Sequence, residues 1–130
     1  MKYKKGYKYK LVETTQYVFQ ERIKIKHTIT PFITISGTII EIKSGYAWDG
    51  PSGPTSDTKS FMRGSLIHDA LYQLIREGYL NISYRDWADR ELRAICLEYG
   101  MNPIRAFWVY WAVRLFGKPA ATIRKRVYET

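Results

Sequence analysis

The chain has 130 residues, of which 45% are apolar and 15% aromatic, and 21 Lys and Arg against 12 Asp and Glu give a formal net charge of +9. This length favours a single domain with its own core, and the composition argues against intrinsic disorder. The positive charge favours anionic partners such as nucleic acid, anionic lipid or an acidic protein. A lone cysteine, Cys96, excludes an internal disulfide framework and is typical of a reducing compartment.

Residues 1–44 are rich in β-branched and aromatic residues that alternate with polar ones. In the segment 23–29, for example, isoleucines and His27 alternate with lysines and a threonine. This period of two is typical of a strand with one wetted face, and Pro31 and Gly37 interrupt the runs. We predict four or five short antiparallel strands, with His27 as a half-buried strand residue on the isoleucine side.

A connector rich in glycine and proline follows at residues 45–57. It begins with GYAWDGPSGPT, in which three glycines and two prolines force a non-repetitive backbone path. Such a loop exposes backbone carbonyls and amides that are suited to holding ions. The connector is therefore either a binding loop or a packed connection that Trp48 pins to the core.

Residues 58–118 change to the helical period of 3.6, and three helices are predicted there. The expected boundaries are Lys59 to Glu77 with Asp57 or Thr58 as N-cap, Ser83 to Gly100 with Asp86 in a capping box, and Asn102 to Gly117. The third helix is apolar nearly all round, so we expect a buried central helix; the alternative is an exposed aromatic surface for a membrane or a partner. The sequence thus predicts one α+β domain over residues 1–130, with a small antiparallel sheet, three packed helices and a basic tail at 119–130.

The motif SLIHDALY, residues 65–72, places two polar side chains on one face of the first helix. His68 and Tyr72 are four apart, while Asp69 points about 100° away. A carboxylate among apolar neighbours needs a partner or a metal. On the second helix Asp86 is explained by capping, whereas Asp89 is not. If the first two helices pack antiparallel, Asp89 can approach His68.

Such a pair has two interpretations. It is either a general base whose tautomer a carboxylate fixes, with a second carboxylate free to hold a cation beside the loop, or a purely structural hydrogen bond in the core. One cysteine and two histidines argue against a zinc site of Cys and His ligands. The chain has no phosphate-binding loop, no dinucleotide fingerprint and no nucleophile elbow.

Three motifs in chain order resemble those of the small phage and prophage proteins grouped as domain-of-unknown-function family 1353. They are GYAWDGPSGPT, SLIHDALY and YRDWADRELRAICLEYGMNPIRAFWVYWAVRLFG, and the resemblance covers roughly residues 30–118. It implies a phage or prophage origin and singles out the positions Asp49, Ser52, Pro54, His68, Asp69, Tyr72 and Asp89.

The loop and the first helix are also similar, locally, to the calcium-dependent phospholipases A2. In that family a glycine-rich calcium loop precedes a helix that bears His-Asp-x-x-Tyr. The similarity implies that His68 is the base, that Asp89 is its partner and that Asp69 binds calcium, with carbonyls offered around Gly50 and Gly53. The chain lacks the cysteines that flank the His-Asp pair in that family.

The candidate site therefore combines three groups of residues. These are His68, Tyr72 and Asp89 for catalysis, Asp49 and Asp69 for a metal, and Gly50, Ser52, Gly53 and Pro54 in the loop, with Trp48 and Arg90 beside them. Calcium is the only cofactor that these residues suggest.

Three functions remain open. The first is a phage-derived, metal-assisted hydrolase of an ester or phosphoester, similar to a phospholipase. The second is a non-enzymatic accessory or virion-associated protein in which the cluster is structural and the aromatic helix docks on a phage structural protein. The third is a binder of anionic lipid, or less favourably nucleic acid, through the basic ends KYKKGYKYK (2–10) and RKRVY (124–128). No signal peptide is visible, so we expect the host cytoplasm or the virion.

Overall fold

The computed structural model describes residues 1–4, 9–21, 25–48 and 59–121. Within these residues, seven short strands are followed by four α-helices, which confirms the α+β class and the order of the two halves. The strands are β1 (Tyr3–Lys4), β2 (Tyr9–Leu11), β3 (Thr15–Val18), β4 (Thr28–Ile29), β5 (Ile33–Ser36), β6 (Ile39–Ile42) and β7 (Ala47–Trp48), and the helices are α1 (Lys59–Arg76), α2 (Arg85–Glu98), α3 (Pro103–Phe116) and the short α4 (Lys118–Ala121).

The strands form two antiparallel sheets, one with the order β1-β2-β7 and one with the order β3-β6-β5-β4. In the second sheet Ile33 pairs with Ile42 and Ile35 with Ile40, and all four side chains are fully buried on one face. Alternating isoleucines thus define the core face, as the period of two predicts. That pattern does not reveal which strands pair, so it missed β7, which comes from the start of the Gly/Pro-rich connector.

The expectation for His27 is wrong. His27 is exposed and lies outside the strands of the described chain, because β4 begins only at Thr28. β4 is a two-residue strand at the edge of its sheet, and its Ile29 is 64% exposed. The isoleucines of this segment therefore do not share one buried face, and the neighbouring histidine is not drawn inward.

Helix α1 begins at the predicted residue and ends at Arg76, one residue before the predicted end. Gly78 follows with φ of 85°, a conformation that glycine adopts without a steric cost. The expected N-cap, Asp57 or Thr58, lies outside the described residues. Most of α1 is buried between the sheets and α2, and its apolar residues with no exposed surface are Leu66, Ile67, Ala70, Leu71, Leu74 and Ile75.

The predicted start of the second helix is wrong in detail. A 3-10 turn at Ile82–Tyr84 precedes α2, and the side chain of Asn81 caps that turn by accepting from the Ser83 amide at 2.9 Å. Tyr84 then occupies the N-cap of α2, and its side chain does not cap the helix. Ser83 and Asp86 therefore form no capping box, and the Asp86 carboxylate is available for other contacts.

Helix α3 has the predicted N-cap but not the predicted environment. The Asn102 side chain accepts from the amide of Ile104 at 2.8 Å, which confirms the cap. Only Ala106 of α3 is buried, although Val109 and Val113 are partly covered by a small cluster around Leu92. The expected central helix is wrong, because the sheets and α2 already cover α1 and leave α3 outside the main core.

The Gly/Pro-rich connector is anchored to the core at Trp48, the contact expected of a packed connection. The Trp48 side chain is buried, and its indole N–H donates to the Ser65 hydroxyl at 3.1 Å. This contact ties β7 to α1 and fixes where the connector begins. In the part of the chain that the structure describes, no helix is long and apolar enough to cross a bilayer.

Candidate functional site

Five polar side chains meet where α1, α2 and α3 come together, and we call them the interhelical cluster. Helix α1 supplies His68 and Tyr72, α2 supplies Arg85 and Asp89, and α3 supplies Arg114. His68 and Tyr72 face the same direction because four residues separate them on a helix. The structure thus brings together the three residues that the sequence suggests for catalysis, together with two arginines that it did not suggest.

Asp89 is the centre of the cluster and has no exposed surface. Its Oδ1 atom lies 2.7 Å from His68 Nε2 and accepts from the Tyr72 hydroxyl at 2.6 Å, while Oδ2 accepts from Arg114 Nη1 at 2.9 Å. Burial by itself raises the pKa of Asp89, but the hydrogen bonds from His68, Tyr72 and Arg114 outweigh it and lower the pKa below 3.8. Asp89 is therefore an ionised, acceptor-only group, and His68 Nε2 carries the shared proton.

The two ring nitrogens of His68 have different surroundings. Nε2 faces the buried Asp89, whereas Nδ1 faces the partly exposed Asp69. The His68 side chain is 8% exposed, and Nδ1 lies 3.9 Å from Oδ1 of Asp69, whose side chain is 33% exposed. Burial, the largest single effect, lowers the pKa of His68, but Asp69 and Asp89 together outweigh it and raise the pKa above 6.5. Since 3.9 Å is too long for a direct hydrogen bond, we attribute the effect of Asp69 to its charge. The imidazole thus lies between two carboxylates, one on each nitrogen.

Tyr72 connects the His68 side of the cluster to the arginines. Its ring lies 4.1 Å from the His68 ring, centroid to centroid, and its hydroxyl accepts from Arg85 Nε at 3.1 Å. Burial and the hydrogen bond to Asp89 raise the pKa of Tyr72, so its hydroxyl stays protonated. A Cβ on Gly117 would lie 3.0 Å from this hydroxyl and 2.5 Å from the Val113 carbonyl oxygen. Gly117 therefore permits the close approach of α3 to Tyr72.

Arg85 fixes the C-terminal part of α3. Its Nη2 donates to the carbonyl oxygens of Val113 and Arg114 at 2.7 and 2.9 Å. Both carbonyls lie near the C-terminus of the helix, where the aligned peptide dipoles leave partial negative charge, and the Val113 oxygen also accepts from the Gly117 amide. The Arg85 guanidinium thus binds two carbonyls near the end of α3. By also donating to the Tyr72 hydroxyl, it ties α3 to the rest of the cluster.

An outer ring of charges lies beside the cluster. Asp86 accepts from the Tyr110 hydroxyl at 2.7 Å, pairs with Arg90, and lies 3.7 Å from Arg114 Nε. Arg90 is exposed and donates twice to Glu21 at 2.9 Å. The sequence placed Arg90 beside the site, and the structure places it in this outer ring, where it binds carboxylates other than Asp89.

The predicted metal ligands are only partly described. Asp49, Gly50, Ser52, Gly53 and Pro54 lie outside the described residues, so only Asp69 of the suggested calcium ligands has a position. Among residues 1–4, 9–21, 25–48 and 59–121, no three His, Cys, Asp or Glu side chains lie together in a way that could hold a metal ion. Calcium needs several oxygen ligands, so Asp69 would require the loop to complete a site.

The sequence analysis did not include Arg85 and Arg114 in the candidate site, although the sequence contains an indication of each. Arg85 precedes Asp89 by four residues on α2, which is the spacing of a same-face pair. Arg114 and Arg105 are the only charged residues of α3, and a charge in an otherwise apolar helix needs a partner. Periodicity alone does not tell that this partner is the Asp89 carboxylate.

No protein-family model matches the chain, and neither a curated protein nor a solved structure matches it. These comparisons therefore suggest no function for the site.

Proposed function

We propose that the protein is a hydrolase of ester or phosphoester bonds in which His68 is the general base and Asp89 orients it. The observation that supports this most is the two-sided environment of the imidazole: Nε2 lies 2.7 Å from the buried Asp89, and Nδ1 faces the partly exposed Asp69. Since Asp89 accepts the Nε2 proton, the neutral tautomer carries its lone pair on Nδ1. An imidazole held in this way can take a proton from a water that attacks the substrate.

The rest of the interhelical cluster supports the same proposal. A general base must be held in position, and Tyr72 and Arg114 hold the Asp89 carboxylate from two further directions. The same hydrogen bonds keep Asp89 ionised, so it can stabilise the imidazolium that forms when His68 accepts a proton. Tyr72 acts in this proposal as a positioning residue for Asp89.

We propose further that Asp69, together with Asp49 and carbonyls of the loop around Gly50 and Gly53, binds a divalent cation. Carboxylate and carbonyl oxygens are the ligands that calcium prefers, and the similarity to the phospholipases A2 suggests this ion. Bound there, the cation would polarise a carbonyl or phosphoryl oxygen of the substrate. The resemblance to family 1353 supports a phage-derived protein in the host cytoplasm or on the virion.

Hydrolysis of two chromogenic probes tests the proposal: p-nitrophenyl butyrate, an ester, and bis(p-nitrophenyl) phosphate, a phosphodiester. Each is assayed with calcium and with a chelator. We expect His68→Asn to lose about a hundredfold or more of the activity, since it removes the general base. His27→Asn is the matched control, because His27 is the other histidine and is exposed outside the cluster. Circular dichroism reports whether each variant is folded.

The proposal is contradicted if the wild-type protein hydrolyses neither probe, or if folded His68→Asn is as active as the wild type. Should His68→Asn fail to fold, Asp69→Asn provides the second test, because the Asp69 side chain is 33% exposed and does not belong to the interhelical cluster. Loss of activity in that variant, together with loss of a calcium effect, supports the cation site.

A second candidate is a non-enzymatic phage accessory or virion protein in which the interhelical cluster only holds the helices together. The observation in its favour is that Arg85 and Arg114 join α3 to α1 and α2 by hydrogen bonds. Under this candidate, His68→Asn lowers the melting temperature markedly and the wild type has no hydrolytic activity.

A third candidate is binding to nucleic acid or anionic lipid through the basic ends of the chain. Residues 5–8 and 122–130, which carry much of this charge, lie outside the described residues. This candidate predicts that binding to nucleic acid or anionic lipid weakens steeply as salt is added, and that this salt dependence disappears when residues 1–10 and 124–130 are removed.

A further inference from the structure

Helix α3 carries an uncovered apolar surface, which we call the outer face. Six of its large side chains are exposed, and Trp108 and Phe116 are exposed by 64% and 78%. The structure describes every residue of α3, and none of the exposed ones is charged. A contiguous apolar patch of this kind marks an interaction site. The members of the outer face are Ile104, Phe107, Trp108, Trp111, Leu115 and Phe116.

The two arginines of α3 contact the body of the protein. The guanidinium of Arg114 donates to a buried carboxylate of α2, and that of Arg105 lies 5.8 Å from the centre of the Phe61 ring. Ala106, the only buried residue of α3, lies about 180° around the helix from Leu115. The outer face is thus uncharged and points away from the rest of the described chain. Contacts between copies of one chain are typically apolar and have few charges at their centre.

A straight row of side chains runs along the middle of the outer face. Ile104, Trp108, Trp111 and Leu115 follow one another at intervals of four, three and four residues. These are the intervals of the a and d positions at which two helices pack against each other. The row therefore fits a facing α-helix. An anionic surface fits it less well, because α3 exposes no basic side chain to meet one.

The area of the outer face is sufficient for a stable dimer. Its members are exposed by 42% to 78%, and a large apolar side chain has about 200 Å² of surface, so the outer face presents about 700 Å². Two copies that cover each other would bury about 1,400 Å², and specific protein interfaces bury about 1,200–2,000 Å². A second copy of the chain can therefore cover the outer face without any further partner.

We propose that two copies of the chain associate through the outer face, with their α3 helices antiparallel about a two-fold axis at the middle of α3. A two-fold contact uses one patch twice, so the row must be complementary to itself. In this register Trp108 faces Trp111 of the second copy. At the ends of the row Ile104 faces Leu115 of the second copy. Antiparallel pairing also sets the positive end of each helix dipole beside the negative end of the other. The association goes beyond the proposed hydrolase and does not depend on it.

The charge of the whole chain gives the association a distinctive salt dependence. A net charge of +9 on each copy opposes the approach of two copies, and salt screens this repulsion. The contact itself is apolar and involves no ion pair that salt could weaken. The dimer should therefore become tighter as salt is added, whereas binding to an anionic partner would become weaker.

Sedimentation equilibrium of the full chain at low and high salt tests the association. We expect a monomer–dimer equilibrium in which the dimer is favoured by salt. Trp108→Ala should weaken the dimer about a hundredfold, or tenfold for each copy, because both copies lose a buried indole. The matched control is Ile29→Ala, since Ile29 is also 64% exposed but lies on β4, and it should leave the dimer unchanged. Should Trp108→Ala fail to fold, Leu115→Ala is the second variant, because Leu115 is 68% exposed.

Cysteine cross-linking tests the register. In the proposed pairing, position 104 of one copy lies beside position 115 of the other, whereas the two copies of position 104 lie about 16 Å apart along the helices. A bismaleimide shorter than this separation should cross-link an equal mixture of Ile104→Cys and Leu115→Cys, but neither variant alone. The wild type is the control for the native Cys96, which is buried.

A wild-type protein that stays monomeric at both salt concentrations overturns the association, as does equal weakening by Trp108→Ala and Ile29→Ala. Cross-linking of Ile104→Cys alone contradicts the antiparallel register, because a parallel pair sets equal positions side by side. A dimer that salt dissociates overturns the apolar contact. Binding of the wild-type monomer to phosphatidylglycerol vesicles, if Trp108→Ala abolishes it, also overturns the proposal, since a membrane then covers the outer face.

Discussion

Two carboxylates of α2, Asp89 and Glu91, are both buried, with 0% and 2% of their surface exposed, yet their surroundings differ. Asp89 faces the junction of the three long helices and bonds to a histidine, a tyrosine and an arginine. Glu91 faces the end of β3 and accepts from the backbone amides of Gln20 and Glu21 at 2.8 and 3.2 Å, and from the Tyr17 hydroxyl at 3.3 Å.

The two pKa values shift in opposite directions. Burial raises the pKa of Glu91, and the hydrogen bonds of its uncharged donors do not offset it. The pKa of Asp89 is lowered despite burial, because His68, Tyr72 and Arg114 favour the ionised form. A carboxylate bound by neutral donors serves as a tether between α2 and the chain after β3. A carboxylate bound by an imidazole and a guanidinium stays ionised, so it can orient the imidazole and stabilise the imidazolium.

The largest effect is expected for Asp89→Asn. This change removes the charge that pairs with His68 and Arg114 inside the protein, and breaking such a buried pair costs about 3–5 kcal/mol. Urea denaturation measures the free energy of unfolding of the variant and of the wild type. A loss below about 1 kcal/mol would mean that the cluster is far more hydrated than its burial indicates.

Glu91→Gln is the matched change on the other side of α2. The glutamine carbonyl can still accept from a backbone amide, so we expect a loss of only about 1 kcal/mol, the contribution of an ordinary hydrogen bond. Equal losses in Asp89→Asn and Glu91→Gln would contradict the distinction between the two carboxylates.

A smaller effect is expected when the wild-type protein is titrated. The folded state raises the pKa of His68 above 6.5, so it binds the imidazole proton more tightly than the unfolded state does. The free energy of unfolding should therefore be highest below pH 6.5 and fall as the pH rises through the folded pKa of His68. The lowered pKa of Asp89 gives the opposite sign at acid pH: its contribution is present above pH 3.8 and is lost as the pH falls through the folded value.

Chemical denaturation across this range checks the prediction, with His68→Asn as the control. The decrease above pH 6.5 should be absent in that variant. If the free energy of unfolding of His68→Asn still decreases above pH 6.5 as in the wild type, a group other than His68 causes the pH dependence.

The sequence predicted the pairing of His68 with Asp89 because capping left Asp89 unexplained and a polar pair in an apolar helix needs a partner. It predicted the C-terminal end of α1 to within one residue, and the N-cap of α3, because glycine and asparagine mark helix ends by local chemistry. The helix ends depend on a few neighbouring residues, and the His68–Asp89 pairing needed one further assumption, that the first two helices pack antiparallel across a short connection.

Features that depend on distant parts of the chain were missed. The apolar pattern of α3 cannot tell whether the core has room for a further helix, so its exposure was not the expected outcome. Glu91 was not singled out, because its donors lie in a segment about 70 positions earlier in the chain. Arg114 was overlooked for the same reason, since its partner Asp89 lies on another helix.

The most direct test of the account is the pH dependence of kcat/KM for hydrolysis of p-nitrophenyl butyrate, compared with an NMR titration of His68 in the free protein. The pH at which kcat/KM reaches half of its plateau value reports the pKa of the free enzyme's essential base. We predict that the rate rises with pH through an apparent pKa above 6.5, and that this value equals the pKa of His68 in the NMR titration. A profile that is flat across this range, or whose pKa differs from that of His68, would contradict the role of His68 as the base.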